Sequence, residues 1–443
     1  MKIEAALNGT ARADDGLADL RIRDEDGQEH QLDFPIGELV RRCGVPSPVA
    51  LDLLITASLC YITDKTVPRR PAFDRWTRNL DLSLPVSEPD RWTPVADALS
   101  QTLSFLTGDV WHLHFYQTPH ALFERPTQRP LPEIAPIDAV ALFSGGLDSL
   151  AGAIDLLAGD GAQKVLLIGH YDSPGPRKVQ AELGLKLQEQ YPGRVEIMHV
   201  RVAHRPAKAA EDTLRSRSLA FLALELYAAQ ALGSDIPLHM FENGMIALNI
   251  PLTPSRSGSC STRTMHPYYL EQMSSVISRL GISNGILNPY GLKTKGECLV
   301  GCADVDFLSR LADQSVSCSH GSRRQNWVRK SADNCGYCVP CMFRRAAMHR
   351  AGLDHGEQYG IDVLAGELAI TDAFESADDL RAMSDFLRHP LTPAHLRKKI
   401  LSIARFSGLD DHVDLARRGF AEVKTWLGSG AETQGLRGAS EHA

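Results

Sequence analysis

A short polar segment beginning at residue 144 carries the residues best suited to chemistry. Its sequence is Ser144-Gly145-Gly146-Leu147-Asp148-Ser149. Adjacent glycines permit a tight turn that points backbone N–H groups at an anion. The two serine hydroxyls can donate further hydrogen bonds to phosphate oxygens. A carboxylate such as Asp148 suits this site when a Mg²⁺ ion accompanies the phosphates.

The residues on either side predict a strand before this segment and a helix after it. Residues 139–143 form an apolar run typical of a buried parallel strand. From Leu150 onward, apolar residues recur at helical spacing. Unpaired N–H groups and the positive dipole end at the helix start would attract an anion. The alternative is an ordinary glycine turn between a strand and a helix.

Four cysteines further along the chain have the spacing of a metal site. Cys335, Cys338 and Cys341 form two consecutive Cys-x-x-Cys steps, and Cys318 lies upstream. Four thiolates fill a tetrahedral shell and leave no open position, which predicts a structural zinc site. An iron–sulfur cluster also takes four cysteines and is the chemical alternative.

Other polar residues are expected near the same edge of the sheet. A strand predicted over 164–169 leads into His170 and Tyr171, and ligands bind beyond the carboxyl ends of such strands. Arg217 lies near the start of a helix predicted over 212–232, so it is a candidate phosphate ligand or part of a solvated basic turn. Lys295, near another helix start, is a candidate phosphate-contacting cation.

Four further sets of residues have roles that the sequence leaves open. His112 and His114 share one face of a predicted strand, either as metal ligands or as exposed positions of an edge strand. Arg256 and Arg263, in or near a Pro/Ser/Gly-rich loop that resembles an active-site cover, could meet a substrate carboxylate or face solvent. Cys260 is a possible nucleophile without an evident base. Cys298 and Cys302 have helical spacing, which favours packing in the core.

The composition is that of a globular protein with more than one domain. The chain has 443 residues, of which 43% are hydrophobic and 23% charged, and its net charge is −7. The negative charge argues against direct nucleic-acid binding. No apolar run has the length of a membrane span and the N-terminus has no signal-peptide core, so we expect a cytoplasmic protein that binds no membrane.

The pattern along the chain predicts five regions. Residues 1–123 should form an N-terminal α+β domain, and a Pro-rich linker covers 124–137. Strands and helices alternate over 138–352, which predicts an α/β domain with a Rossmann-like parallel sheet. Residues 353–428 should be a helical C-terminal region, and 429–443 a disordered tail.

The Ser-Gly-Gly-x-Asp-Ser segment resembles the PP-loop of the N-type ATP pyrophosphatases. In those enzymes the loop holds the pyrophosphate that leaves when ATP adenylates a substrate. With Thr294-Lys295-Gly296-Glu297 and the four cysteines, residues 138–352 resemble the QueC family of 7-cyano-7-deazaguanine synthases. Housekeeping members are shorter and lack both the N-terminal region and the helical C-terminus. The long form is similar to the QueC-like proteins of bacterial anti-phage islands, such as those of the Qat and type IV CBASS systems.

The resemblance implies an ATP-dependent C–N ligase with Mg²⁺ and structural zinc. Its substrates would be ATP and a 7-deazapurine carboxylate of the 7-carboxy-7-deazaguanine type. Reaction with ammonia or with an amine of a protein partner would then form an amide or a nitrile. The implied catalytic residues are Ser144, Asp148, Ser149 and Lys295. The implied ATP-binding residues are Phe143, Ser144, Gly145, Gly146, Leu147, Asp148, Ser149, Leu150, His170, Tyr171 and Arg217. The implied zinc ligands are Cys318, Cys335, Cys338 and Cys341.

Two other functions stay open at this point. A tRNA-modifying PP-loop enzyme of the thiolation type shares the loop, but it commonly needs a reactive cysteine pair and a basic RNA-binding face. A non-catalytic subunit of a defence complex could retain ATP binding in order to switch its partners.

Overall fold

The computed structural model describes most of the chain. The described residues are 1–7, 18–34, 36–118, 136–159, 163–171, 174–201, 203–205, 210–211, 213, 215–253, 263–368 and 377–440. The predicted linker over 124–137 lies outside them except for residues 136–137, and so do Arg256 and Cys260.

Strands and helices alternate through much of the described chain. The strands are β1 (Lys2–Leu7), β2 (Ala18–Arg23), β3 (Glu29–Phe34), β4 (Asn79–Val86), β5 (Val110–Gln117), β6 (Ala139–Leu142), β7 (Val165–Tyr171), β8 (Val195–Arg201), β9 (Ala203–Arg205), β10 (Leu238–His239) and β11 (Ile286–Leu287). The helices are α1 (Ile36–Cys43), α2 (Pro48–Thr66), α3 (Pro89–Trp92), α4 (Ala96–Thr107), α5 (Leu147–Ala158), α6 (Pro174–Gln190), α7 (Arg217–Leu232), α8 (Gly244–Leu248), α9 (Pro267–Arg279), α10 (Lys295–Val300), α11 (Val305–Leu311), α12 (Val339–Arg350), α13 (Asp378–Arg388), α14 (Pro393–Leu401) and α15 (Leu409–Ser440).

Strands β6, β7, β8, β10 and β11 form a parallel sheet beside the Gly-rich segment. Its order is β11-β10-β6-β7-β8, and every pairing in it is parallel. The chain runs from β6 through β7 to β8 on one side and returns to β10 and β11 on the other. The strand order therefore reverses at β6, which is where ligands bind in open α/β sheets. The α/β fold class predicted from the sequence is confirmed.

The N-terminal strands form a mixed sheet that borrows one strand from beyond residue 200. Its order is β5-β4-β1-β2-β3-β9, and β9 pairs antiparallel with β3. β9 follows β8 of the parallel sheet almost at once, so main-chain hydrogen bonds cross the predicted boundary between the two domains. Added in this way, β9 covers what would otherwise be an open edge at β3.

Helix α2 joins the two parts of the molecule. Its residues from Val49 to Thr66 are buried, which matches its apolar composition on all sides. One side packs on β2, β3 and β4, and another packs on α7. Residues of α2, α7 and both sheets belong to a single apolar cluster, so the described N-terminal and α/β regions share a core.

The C-terminal helices pack beside the cysteines. Helices α13 to α15, α8 and the cysteine segment share a second core, in which Leu415 and Trp426 of α15 are fully buried. The expected disordered tail from residue 429 is wrong for 429–440, because α15 continues to Ser440. The segment continues the buried first half of α15, which supplies the costly first turns of the helix. No described helix combines the length and the apolar character that crossing a membrane requires.

Candidate functional site

The Gly-rich segment forms the turn between β6 and the N-terminus of α5. Gly145 has φ +79°, a left-handed conformation that favours glycine, and Gly146 is the N-cap residue of α5. The preceding strand is anchored by the Phe143 N–H, which donates to Ile168 O of β7 at 2.8 Å. The predicted strand, turn and helix are thus all present.

The serine hydroxyls converge inside this turn. Ser144 Oγ and Ser149 Oγ lie 3.2 Å apart, and Ser149 Oγ donates to Gly146 O at 3.0 Å. The Gly146 N–H donates to Ser144 Oγ at 3.3 Å. Leu147 and Leu150 are buried and fix the helix against the sheet. The turn therefore places hydroxyl and N–H donors together at the positive end of a helix, an arrangement that suits an oxyanion.

Asp148 is the meeting point of three elements. Its Oδ2 atom lies 2.7 Å from Lys295 Nζ of α10 and accepts from Asn243 Nδ2, on the β10–α8 connection, at 2.9 Å. Its Oδ1 atom is buried and has no hydrogen-bond partner among the described residues. An unpartnered carboxylate oxygen in such a place can accept a hydrogen bond or bind a cation.

Glu242 adds a second carboxyl group to this region. It lies three residues after the end of β10 and directly before Asn243. Asn288 fixes its backbone, because Asn288 Nδ2 donates to Glu242 O at 3.0 Å. Burial, and then the nearby charge of Asp148, raise the pKa of Glu242 to about 8, while Lys295 opposes the shift. A cation bound between the two carboxyl groups would favour the ionised form of Glu242.

Lys295 is held as the first residue of α10. Thr294 is the N-cap: its hydroxyl accepts from the Glu297 N–H at 3.1 Å, and Glu297 Oε2 accepts from the Thr294 N–H at 2.9 Å. This capping box fixes the direction in which the helix begins. The Lys295 side chain is only 4% exposed, so its ammonium is directed into the protein toward Asp148.

The segment before Cys318 closes the other side of the turn. The Val316 N–H donates to Gly145 O at 3.0 Å, and the Leu147 N–H points to Ser317 Oγ at 3.5 Å. Asn334 holds the segment, because its Oδ1 accepts from the Ser317 N–H at 3.0 Å. The cysteine-rich segment and the Gly-rich turn are therefore in direct contact.

The four predicted metal ligands come together. The Sγ atoms of Cys318, Cys335, Cys338 and Cys341 all lie within 4.8 Å of one another. Backbone N–H groups donate to two of the four sulfur atoms. Cys318 Sγ accepts from the N–H of His320 at 3.3 Å and from that of Cys335 at 3.4 Å. Cys335 Sγ accepts from the N–H of Tyr337 at 3.4 Å and from that of Cys338 at 3.2 Å. Such donors stabilise thiolates. These cysteines are positioned to bind a metal ion, in an arrangement compatible with structural zinc.

His170 and Tyr171 occupy the end of β7, beside the turn. Gln180 bridges the end of β7 and the turn, since its amide nitrogen Nε2 donates to His170 O at 3.1 Å and to Ser144 O at 3.5 Å. Arg217 is the first residue of α7, and its guanidinium lies 5.1 Å from the ring centre of Phe221, which in turn contacts the His170 ring at 4.4 Å. The Phe221 ring therefore lies in contact with both the Arg217 guanidinium and the His170 ring.

Several other candidate residues pack in the fold or lie exposed on its surface. Arg263 lies over the Phe105 ring of α4 at 4.6 Å and donates to Phe105 O at 2.5 Å, so it contacts the N-terminal region. His112 and His114 are exposed on the edge strand β5, as the simpler interpretation predicted. Cys298 and Cys302 are buried in the core, and burial raises the pKa of the Cys302 thiol to about 12.

Three residues of this site were not identified from the sequence. Asn243, Glu242 and Ser317 each reach the site from a loop far from residue 148 in the chain. Glu242 and Asn243 had a usable signal, because they are polar residues at the carboxyl end of a predicted strand. Ser317 had none beyond its position next to Cys318.

No family model, curated protein or solved structure matches this chain.

Proposed function

We propose that this protein uses ATP to adenylate a carboxylate and then joins the activated acyl group to an amine. The sequence resemblance supports a 7-deazapurine carboxylate of the 7-carboxy-7-deazaguanine type as the substrate. Ammonia or an amine of a protein partner would be the acceptor. The same resemblance supports a role in anti-phage defence.

One observation carries the proposal. The Ser-Gly-Gly-Leu-Asp-Ser turn lies at the point where strand order reverses, at the start of α5, with Lys295 Nζ 2.7 Å from Asp148. This combination of N–H groups, hydroxyls, a carboxylate and a buried ammonium suits a polyphosphate that arrives with a divalent cation.

The chemical steps balance without any covalent enzyme intermediate. A carboxylate oxygen attacks the α-phosphorus of ATP, and the bond to the β-phosphate oxygen breaks to release pyrophosphate. The amine nitrogen then attacks the acyl carbon, and AMP leaves with one of the carboxylate oxygens. The turn formed by residues 144–149 would hold the departing pyrophosphate, and Lys295 would neutralise its developing charge.

The residues present fit the two metals that this function requires. Mg²⁺ prefers oxygen ligands, and Asp148 offers the unpartnered Oδ1 atom. Glu242 is close enough for the charge of Asp148 to raise its pKa. When bound there, Mg²⁺ would offset the negative charge of the phosphates. Zn²⁺ fits the four cysteines and would keep Ser317 against the turn.

The chemistry of the remaining described cysteines argues for this function over tRNA thiolation. Burial raises the pKa values of the Cys43, Cys60, Cys298 and Cys302 thiols, which suppresses the nucleophilic thiolate. A thiolation enzyme of the cysteine-pair type would need a thiol of the opposite character.

Pyrophosphate release tests the proposal. Purified full-length protein is incubated with Mg·ATP, with and without 7-carboxy-7-deazaguanine, and with ammonium as the acceptor. We expect release that depends on the carboxylate and that Asp148→Ala abolishes. Asp385→Ala, which changes an exposed carboxylate of α13, is the matched control and should behave like the wild type.

The other outcomes are equally informative. ATP binding without pyrophosphate release, with ammonium and with protein amines alike, would overturn the ligase and favour the ATP-binding subunit. Formation of ADP and inorganic phosphate would also contradict the proposal, because adenylation cleaves ATP between the α- and β-phosphates.

A further inference from the structure

We infer that the C-terminal helix α15 is part of the catalytic unit, and that Glu422 on it positions Lys295 against Asp148. This inference rests on the proposed function and extends it to the part of the chain that the shorter family members lack. It makes Glu422 a positioning residue, which acts on the site through Lys295.

Glu422 is hydrogen-bonded to the start of α10. Its Oε1 atom accepts from Thr294 Oγ1 at 2.5 Å, and its Oε2 atom accepts from the Gly296 N–H at 3.3 Å. These two contacts fall on the residues immediately before and after Lys295. The Glu422 side chain is only 11% exposed, so water replaces these hydrogen bonds poorly.

Two arginines complete the attachment. Arg350 of α12 donates to Glu422 Oε1 at 2.5 Å, which compensates the charge of the carboxylate. Arg418, one helical turn before Glu422, binds Glu297 Oε2 and donates to Leu292 O at 3.1 Å. Residues before and after Lys295 thus contact Arg418 and Glu422, which lie one helical turn apart on the same face of α15.

Glycines allow α15 to approach this closely. A Cβ atom on Gly296 would lie 2.7 Å from Glu422 Oε1, and a Cβ atom on Gly419 would lie 2.2 Å from Met245 Cγ. Met245 belongs to α8, whose N-cap is Asn243, the second residue bonded to Asp148 Oδ2. α15 therefore supports both groups that hold Asp148, although it contributes no atom to the site itself.

The test uses full-length protein with Glu422→Ala, Glu422→Gln and the control Arg417→Ala. Arg417 lies on the same helix, but its ion pair with Asp414 is exposed. For Glu422→Ala we expect kcat for pyrophosphate release to fall about tenfold with KM for ATP changed far less, since Lys295 would act mainly on charge that develops in the transition state. Glu422→Gln keeps a hydrogen-bond acceptor for Thr294 and should recover part of the loss.

A double-mutant cycle separates positioning from general support. If Glu422 acts through Lys295, Glu422→Ala should cause little further loss in a Lys295→Ala background. Losses that multiply in the double mutant, or an effect of Arg417→Ala equal to that of Glu422→Ala, would overturn the inference.

Hydrogen exchange gives a readout that does not depend on activity. In Glu422→Ala the amides of residues 295–299 should exchange faster, while those of α13 stay unchanged. Unchanged exchange over 295–299 would overturn the inference even if the enzyme were active. If the wild type released no pyrophosphate, the proposed ligase would fail, and faster exchange would still support the attachment of the Lys295 segment to α15.

Discussion

At the scale of single residues, the candidate site depends on Asp148 having two different oxygen atoms. Oδ2 is committed to Lys295 and Asn243, and Oδ1 is buried with no hydrogen-bond partner in the described part of the chain. Oδ2, with its two partners, fixes the orientation of the carboxylate. Oδ1, which has no partner among the described residues, is left to bind a ligand. This division of roles explains why a carboxylate occurs in a turn that otherwise offers only donors to an anion.

Gly145 provides the sharpest test of the turn. Gly145→Ala forces an L-residue into the left-handed region, which costs about 1 kcal/mol. It also puts a Cβ atom 3.0 Å from Val179 Cγ1, so either the turn or the Val179 side chain must move by a few tenths of an ångström. We expect ATP affinity, measured by calorimetry, to fall at least about tenfold.

Gly281→Ala is the matched control for this change. Gly281 has the same φ of +79° but no atom within 4 Å of the added Cβ, and it lies after α9. Its stability cost should be similar, and ATP affinity should be unchanged. Equal losses of affinity in both variants would contradict a specific role for the turn.

Glu225 predicts how stability depends on pH. It is completely buried in α7, neither carboxyl oxygen has a partner among the described residues, and burial raises its pKa well above 4.5. The folded state keeps the proton that the unfolded chain releases above pH 4.5, so this residue destabilises the fold increasingly as pH rises.

We therefore expect Glu225→Gln to have little effect on unfolding at pH 4.5 and to stabilise the protein progressively at higher pH. The gain can reach about 1.4 kcal/mol per pH unit, measured by denaturant unfolding. Glu189→Gln, at a position 66% exposed, is the control and should show no such trend. A pH-independent difference between wild type and Glu225→Gln would show that Glu225 is ionised in the folded protein.

Among the secondary-structure elements, the cysteine segment and the Gly-rich turn are in direct contact, so a change in one is expected to affect the other. The Ser317 hydroxyl contacts the N–H of Leu147 at the start of α5, and the next residue, Cys318, belongs to the cluster of four cysteines that is positioned to bind a metal ion. A metal at the cysteines would therefore stabilise the turn as well as the C-terminal core, since both are attached to the same few residues.

Metal removal tests this coupling. We expect one zinc and no iron per chain by elemental analysis, and we expect chelation or Cys338→Ser to lower both the melting temperature and ATP affinity. Ser317→Ala should lower ATP affinity while zinc content is retained. Cys43→Ala, in the core that the N-terminal and α/β regions share and that does not include the cysteine cluster, should leave zinc content and ATP affinity unchanged. Stoichiometric iron with sulfide would contradict the zinc assignment.

The sequence predicted the elements of the site better than their assembly. Residues 139–149 specify a strand, a turn and a helix through contiguous pattern and glycine placement, and the Cys-x-x-Cys steps specify a metal cluster locally. The contacts of Asp148 with Asn243 and Lys295, and of Glu422 with Thr294, join residues far apart in the chain. No local pattern encodes such contacts, because they depend on how the elements pack.

At the scale of the whole molecule, the N-terminal region and the α/β region depend on each other. β9 completes the N-terminal sheet, and α2 lies between that sheet and α7. Asp64 of α2 connects them further: its carboxylate accepts from Ser216 Oγ at 2.7 Å, just before Arg217 begins α7. The N-terminal region therefore helps to place the start of the helix that carries Arg217.

Truncation should reveal this dependence. A fragment of residues 138–352 would expose the faces of α7 that α2 covers, and we expect it to aggregate or to unfold without cooperativity. Calorimetry and size-exclusion chromatography of the fragment and of the full chain measure the difference. A soluble fragment with a cooperative transition would show that the α/β region is independent.

Adenylation of a carboxylate transfers one carboxylate oxygen to AMP, so the fate of that oxygen shows whether adenylation takes place. 7-Carboxy-7-deazaguanine labelled with ¹⁸O in its carboxylate is incubated with the full-length protein, Mg·ATP and ammonium, and the AMP produced is analysed by mass spectrometry. We predict that each AMP carries one ¹⁸O atom, since the oxygen that attacks the α-phosphorus leaves with it. AMP without the label, or ADP as the product, would contradict the account.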